Sequence, residues 1–406
     1  MVVALTFKTY LKNREKTFGE FNIEQLKLQL RKIKEESISN LENLKEKTIR
    51  NLKEKGIKVF EVRNSEEAKK VLFKIIGKDE VVVKAKSNTI NEIGLDLFKG
   101  RNRVVETDCG DFIVQFCDEE AIHPVLPALH IPIEKIVKKI NEKFKVRLEK
   151  SPEKITEWIS EHLKKEILKA DVGLTGANVI SAEGAIFILE NEGNISLISR
   201  IPKKHVIIAG IDKIVSSTQD AITICQASTI WGTGTSLPAY INVISSPSKT
   251  ADIAGKEIFG LHGAKEVYLI LLDNGRSEAI KNGFGELLYC INCGACLYFC
   301  PIYRQIFEKY GLNYFGGRGV GITTFINGIE VAFDRGLYFC TTCRACKENC
   351  PLDIDIPELM RKLRKEAVEK GLETEANKRM IENIAVDGNP FGKIEEGKIP
   401  KELYCC

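Results

Sequence analysis

Between Phe21 and Leu52 apolar residues return mostly at threes and fours. Phe21, Ile23, Leu26, Leu30, Ile33, Leu41, Leu44, Ile49 and Leu52 stand among lysines and glutamates, which predicts one long charged helix over 21–55. Such a helix packs along one stripe, or docks a partner subunit. From Ile57 the pattern changes. Ile57–Val62 predicts a strand, Ser65–Ile76 a helix and Val81–Lys84 a second strand, a βαβ unit that implies a parallel sheet. Val104-Val105 and Phe112–Phe116 continue the strand pattern. Helices are predicted at Ile133–Phe144 and Pro152–Leu168, the second with Ser151 as N-cap and proline in its first turn.

From Asp171 to Asp273 the pattern turns toward β. Strands are predicted at Gly173–Ser181, Ala185–Leu189, Ile195–Ser199, His205–Ala209, Ala239–Ile244 and Val267–Leu272. Asn191-Glu-Gly-Asn194 reads as a tight turn between two of them, and Ser217–Ser228 as a helix. Asn274-Gly275 closes this region, and a cysteine-rich module begins near Gly283. Within it, Pro301–Phe339 carries a glycine-rich stretch, Gly316–Gly321, and then a helix. Another helix follows Asp355-Ile-Pro357, and the chain from about Asp387-Gly388 reads as poorly structured.

Composition narrows the classes. The chain has 406 residues, 44% apolar and 29% charged, with a net charge of +4, which argues for no nucleic-acid or membrane-surface partner. Val267–Leu272, among the longest apolar runs, is far too short to span a bilayer. The first residues lack a basic region, apolar run and cleavage site, so no secretion is expected.

Thirteen cysteines change the picture, because eight of them repeat one spacing. Cys290, Cys293, Cys296 and Cys300-Pro301 match Cys340, Cys343, Cys346 and Cys350-Pro351. This is the ligand run of a bacterial-type ferredoxin with two 4Fe-4S clusters, in which the fourth cysteine of each run serves the other cluster. Cys290, Cys293, Cys296 and Cys350 are thus expected to hold one cluster, and Cys340, Cys343, Cys346 and Cys300 the second. Each proline turns the chain away after its cysteine. Structural zinc uses paired ligands and calls for no third cysteine two residues on. The spacing predicts electron transfer, and free thiolates imply a reducing, cytoplasmic compartment. Gly294 and Ala295 let the backbone approach the first cluster. Arg344 and Lys347 make the second run more cationic, which favours adding an electron there, within a range of about −700 to +450 mV.

Other residues carry weaker signals. Cys109, Cys117 and Cys225 read as structural thiols. Cys405-Cys406 fit a metal site or a solvated end. His123 and His130, around Pro124 and Pro127, are placed to face one pocket. Thr175-Gly-Ala-Asn178 and nearby Glu183-Gly184 form either an anion cradle of backbone N–H groups or plain turns. Gly232-Thr-Gly-Thr-Ser236 has neither P-loop nor dinucleotide spacing, so no nicotinamide or flavin is expected.

Several phrases resemble the LUD-domain lactate utilization protein B family. They are Lys84-Ala-Lys-Ser-Asn88, Glu106-Thr-Asp108, His123 with Pro127-Ala-Leu-His130, Thr175-Gly-Ala-Asn178, Glu192-Gly-Asn194, His205 with Gly210-Ile-Asp-Lys213, and Asp273-Asn-Gly-Arg-Ser277. The resemblance implies an α/β fold similar to the ribose-5-phosphate isomerase and CoA-transferase superfamily, followed by an α-helical ferredoxin with two 4Fe-4S clusters. With the pattern along the chain it gives 1–56 as an N-terminal helical region, 57–282 as the LUD α/β domain, 283–386 as the ferredoxin domain and 387–406 as a C-terminal tail, the resemblance itself covering roughly 65–365. It also implies a complex oxidising L-lactate, or another 2-hydroxy acid, to pyruvate, with a cysteine-rich heterodisulfide-reductase-like subunit and a second LUD protein. Lys86, Thr175, Asn178 and Glu183 become candidates for binding the acid, and His123 or His130 for its base. A ferredoxin-like adaptor between a flavoprotein dehydrogenase and a heterodisulfide-reductase-type partner is the alternative. The chain departs from the family where Ser246–Ile253 and Gly260-Leu-His-Gly263 look closer to the second LUD protein. Family members also extend well beyond the second cysteine run.

Overall fold

Val82 and Val83 pack into different cores on opposite faces of one sheet, and this alternation organises the first two-thirds of the molecule. The computed structural model describes residues 2–94, 100–122, 126–394, Gly397 and Ile399. Its strands are β1 (Lys58–Val62), β2 (Val81–Lys84), β3 (Arg103–Glu106), β4 (Val172–Gly176), β5 (Val179–Ser181) and β6 (Ala185–Glu190), then β7 (Lys204–Gly210), β8 (Ile214–Val215), β9 (Tyr240–Ile244), β10 (Lys249–Thr250), β11 (Ile258–Phe259) and β12 (Glu266–Leu272). Six of them form an all-parallel sheet in the order β1-β12-β7-β4-β2-β3. Val82, Val206 and Ile270 meet Leu72 and Ile76 of helix Ser65–Ile76 on one face. Val83, Ile207 and Leu269 share the other face with helices Cys109–Cys117, Ile133–Phe144 and Pro152–Leu168. Burial on both faces explains why these strands read as continuous apolar runs.

A second sheet, β8-β5-β6-β9, is mixed. Together with helices Ile23–Ser39 and Thr218–Gly232 it shares one core with the C-terminal helices. Phe187, Val215, Ile224 and Trp231 pack in the same cluster as Leu30, Leu287, Ile291, Leu352 and Met360. The fold is therefore an α/β domain continuous with an α-helical domain. Among the described residues, no helix is long and apolar enough to cross a membrane.

Several expectations change. The helix expected over 21–55 is two, Ile23–Ser39 and Leu41–Glu54, and a further helix, Val2–Phe18, precedes them. The break at Asn40 sends Leu30 and Ile33 into the second core and Leu41, Leu44 and Leu52 into the first, which a single straight helix did not have to serve. Phe112–Phe116 is helical because the Asp108 carboxylate caps the N–H groups of Gly110 and Asp111. Ile195–Ser199 is also helical, as Asn194–Ile198, because the buried Glu190 carboxylate accepts the N–H groups of Ile195 and Ser196. Asn191–Asn194 thus leads a strand into a helix. The stretch Gly173–Ser181 is two strands in different sheets, parted where Asn178 bonds Leu189 and Phe187 across to β6. The glycine-rich stretch is itself the start of a helix, Gly316–Asn327.

Candidate functional site

The two cysteine runs fold alike. Left-handed residues flank the second cysteine of each: Asn292 (φ 58°) and Gly294 (φ 79°) around Cys293, Thr342 (φ 54°) and Arg344 (φ 68°) around Cys343. Glycine takes this conformation without cost and asparagine readily, whereas β-branched Thr342 is an outlier held by its loop. A one-turn helix, Ala295–Phe299 or Ala345–Glu348, then carries the third cysteine.

The sulfurs gather in two groups. Cys296 has Cys290, Cys293 and Cys350 as its stronger neighbours and Cys346 as a weaker one, and Cys293 has Cys290 and Cys350. Cys346 has Cys340, Cys300 and Cys343, and Cys300 has Cys340 and Cys343. The fourth cysteine of each run therefore stands with the first three of the other. The groups adjoin, since Cys296 also borders the cavity lined by Cys300, Cys340, Cys343 and Cys346.

The donor set fits iron–sulfur clusters. Burial, and then the crowding of sulfurs, pushes the Cys346 thiol up to about 12. Burial raises Cys350 to about 11 against the N–H groups of Ile354 and Leu352, and drives Cys293 and Cys296 well above the ordinary thiol value. Sulfurs so placed become thiolates only where a bound cation supplies the balancing charge. Backbone N–H groups are aimed at them: Asn292 donates to Cys290, Tyr303 to Cys300 and Leu352 to Cys350, each at 3.4 Å. Such donors tune a cluster once it is held.

The first group is covered. Helix Val2–Phe18 lays Tyr10 on Tyr298, ring centres 4.0 Å apart, and the Tyr10 hydroxyl donates to the Trp231 carbonyl at 2.7 Å. A Cβ on Gly232 would stand 2.8 Å from the Cys293 carbonyl oxygen, so this glycine is a packing position between the α/β domain and the first loop. In the second group Cys343 is exposed.

Beneath the first group lies a charged network at the carboxyl ends of β2, β7 and β12. Arg276 donates to Glu92 at 2.6 and 3.0 Å and to Asp212 at 2.5 Å; Tyr314 and Asn274 also donate to Glu92. Lys34 donates to the Asp212 carbonyl at 2.5 Å, and Lys213 lies 3.4 Å from its carboxylate. Against burial, Lys213, Arg276 and Lys34 hold the Asp212 carboxyl below its usual range. Burial lowers Lys34 to about 8, opposed by Asp212. The phrases Gly210–Lys213 and Asp273–Ser277 pointed here; Lys34, Glu92, Tyr314 and Arg318 carried no signal in the sequence.

The candidate acid-binding residues each make bonds within the chain. Lys86 pairs with Asp108 at 2.8 Å. Close by, burial raises the Asp111 carboxyl to about 7. Thr175 is buried in the sheet, 2.8 Å from the His205 ring nitrogen, and burial keeps that histidine neutral down to about 3. Asn178 holds β6. Glu183 accepts the Thr218 N–H at 2.9 Å at the start of helix Thr218–Gly232. His130 is exposed, 3.9 Å from Glu119. His123, Cys405 and Cys406 lie outside the described residues. Cys117 and Cys225 are buried, and Cys109 is partly buried. Ser246–Ser248 and His262-Gly263 do come together, around an open cleft with Arg200.

Residues 45–272 match the LUD domain family and residues 286–354 the 4Fe-4S dicluster domain. The chain is 30% identical to the uncharacterized electron transport protein YkgF of Escherichia coli K12, over 92% of this chain and 78% of that protein. It is 32% identical to lactate utilization protein B of Bacillus subtilis 168, over 83% of this chain and 70% of that one. A crystal structure of a DUF162 family protein from Deinococcus radiodurans aligns with 58% of this chain and 98% of its own, at 14% identity and a TM-score of 0.32.

Proposed function

The chain belongs to the lactate utilization protein B family of LUD-domain proteins, and we propose that it is the iron–sulfur electron-transfer subunit of a complex oxidising L-lactate, or another 2-hydroxy acid, to pyruvate. That it is an iron–sulfur electron transport protein related to that family is the premise. The observation that carries the proposal is the exchange of the fourth cysteines between the two sulfur groups. Cys290, Cys293, Cys296 and Cys350 would hold one 4Fe-4S cluster, and Cys340, Cys343, Cys346 and Cys300 the other. Each cluster, when bound, supplies a one-electron carrier, and a 2-hydroxy acid gives up two electrons and two protons on becoming a 2-oxo acid. Exposed Cys343 and Phe339 offer the second site to a redox partner. Tyr10, Tyr298 and Trp231 keep water from the first.

Lys86, Thr175, Asn178 and Glu183 are each engaged in internal bonds, which favours oxidation of the acid on a partner rather than here. The partners in this reading are a cysteine-rich heterodisulfide-reductase-like subunit and a second LUD protein, in a cytoplasmic complex. Anaerobic preparations should hold about eight irons and eight acid-labile sulfides per chain; zinc instead would end the proposal. Cys300→Ser should perturb the EPR signal of the site built by Cys340, Cys343 and Cys346. Lactate oxidation by the isolated loaded chain with an artificial acceptor would refute the division of labour.

A second reading, a ferredoxin-like adaptor between a flavoprotein dehydrogenase and a heterodisulfide-reductase-type partner, has one observation in its favour. α/β sheets bind ligands outside the carboxyl ends of their strands, and here Tyr314, Phe325 and the Cys290 loop occupy that edge at β2, β7 and β12. Subunits recovered with the native chain decide between the two.

A further inference from the structure

Three buried cations from three parts of the chain meet at Cys290. Lys34 comes from helix Ile23–Ser39, Lys213 from the turn after β7, and Arg318 from the first turn of helix Gly316–Asn327. Lys213 Nζ stands 3.5 Å from the Cys290 carbonyl oxygen, and the Cys290 thiol lies within electrostatic reach of Lys34 and Arg318. The buried network around them sets four cations, these three and Arg276, against two carboxylates, Glu92 and Asp212. Arg276 is well satisfied by those carboxylates. Arg318 is not. Its Nη1 has no partner among the described residues, its Nε reaches only the Leu287 carbonyl at 3.4 Å, and its guanidinium lies over the Tyr314 ring.

Buried positive charge without a partner is costly, so an excess of it marks the place of an anion. A 4Fe-4S cluster held by four thiolates is dianionic when oxidised and gains one more negative charge on taking up an electron. We infer that Lys34, Lys213 and Arg318 are the counter-charge of the cluster at Cys290, Cys293, Cys296 and Cys350, and that they raise its reduction potential against the lowering effect of burial. This rests on the two-cluster reading above. One electron added at that site places one negative charge beside three buried cations. The LUD domain thereby takes part in electron transfer, through Lys213.

The cations of the second run act more weakly. Arg344 is exposed and Lys347 shares the Asp355 carboxylate with it, at 3.8 and 2.8 Å, so water and a carboxylate screen both. Gly316 and Gly317, in the first turn of a helix, border the second site, and a helix N-terminus contributes about half a charge. Arg318 also lines that cavity, so it stands between the two sites, whereas Lys34 and Lys213 serve the first. Half-buried Arg364 donates to the Cys340 carbonyl at 2.6 Å beside the second site, but the buried cations in excess of carboxylates lie at the first.

The test is an EPR-monitored redox titration of the full-length, cluster-loaded chain beside Arg318→Gln, Lys213→Gln and Arg318→Lys. In Lys213→Gln one midpoint potential should fall and the other stay; in Arg318→Gln the same signal should fall by more than the other, and Arg318→Lys should bring it back toward the parent value. Cys343→Ser marks the signal of the second site, which should be the unmoved one in Lys213→Gln and the less moved one in Arg318→Gln. Unchanged potentials in both loaded glutamine variants, or in Lys213→Gln a shift in the signal that Cys343→Ser perturbs, would overturn the inference. If Arg318→Gln does not fold, Lys213→Gln, from the other domain, decides alone. Iron and sulfide on the same samples keep the two levels apart. A parent chain without two clusters removes the proposed function; two clusters with unmoved potentials remove only the counter-charge.

Discussion

The group of Cys290, Cys293, Cys296 and Cys350 is partly buried, roofed by the N-terminal helix and floored by a buried charged network. The group of Cys340, Cys343, Cys346 and Cys300 uses the same backbone turn but reaches the surface at Cys343. A duplicated motif has therefore been given two environments by what packs around it. The lesson is that spacing sets which metal group is held, while surroundings set how easily that group is reached and reduced.

The comparison can be broken at several points. The widest separation is expected in iron release: an anaerobic chelator should remove the iron of the second site first, read as stepwise loss of one EPR signal. Simultaneous loss would mean that the first site is no better covered. Next comes Arg276→Met, which leaves Glu92 and Asp212 buried without their shared cation. It should cost about 3–5 kcal/mol in denaturant unfolding. Gly232→Ala drives a methyl against the Cys293 carbonyl, should cost about 1–3 kcal/mol, and should lower occupancy of the first site only. Thr342→Gly relieves the left-handed strain of the second loop and should stabilise by about 1 kcal/mol, whereas Asn292→Gly in the first should be nearly neutral. Smallest of all, Lys347→Ala removes a screened surface cation and should leave stability and both potentials almost where they were.

Much of this was legible beforehand, and the misses have causes. Ser65–Ile76, Val81–Lys84, Ile133–Phe144 and Pro152–Leu168 appear as expected because local period, caps and burial all agree there. Phe112–Phe116 misled because a buried helix of β-forming residues resembles a strand; Asp108 followed by Asp111 was the overlooked capping signal. Ile195–Ser199 had no local signal, since its cap, Glu190, belongs to the preceding strand. Cys225 lies in the core as its apolar neighbours predicted. The acid-binding candidates rested on phrases whose residues prove to serve separate internal bonds.

By itself the sequence determined the two cysteine runs, the iron–sulfur chemistry they imply and the parallel sheet before them, because ligand spacing and hydrophobic period are local properties of the chain. Only the tertiary structure decided that Lys34, Lys213 and Arg318 gather at Cys290, that Cys343 reaches solvent, and that Gly232 abuts the first loop. Charge proximity and exposure depend on residues far apart in sequence, and folding alone brings those together.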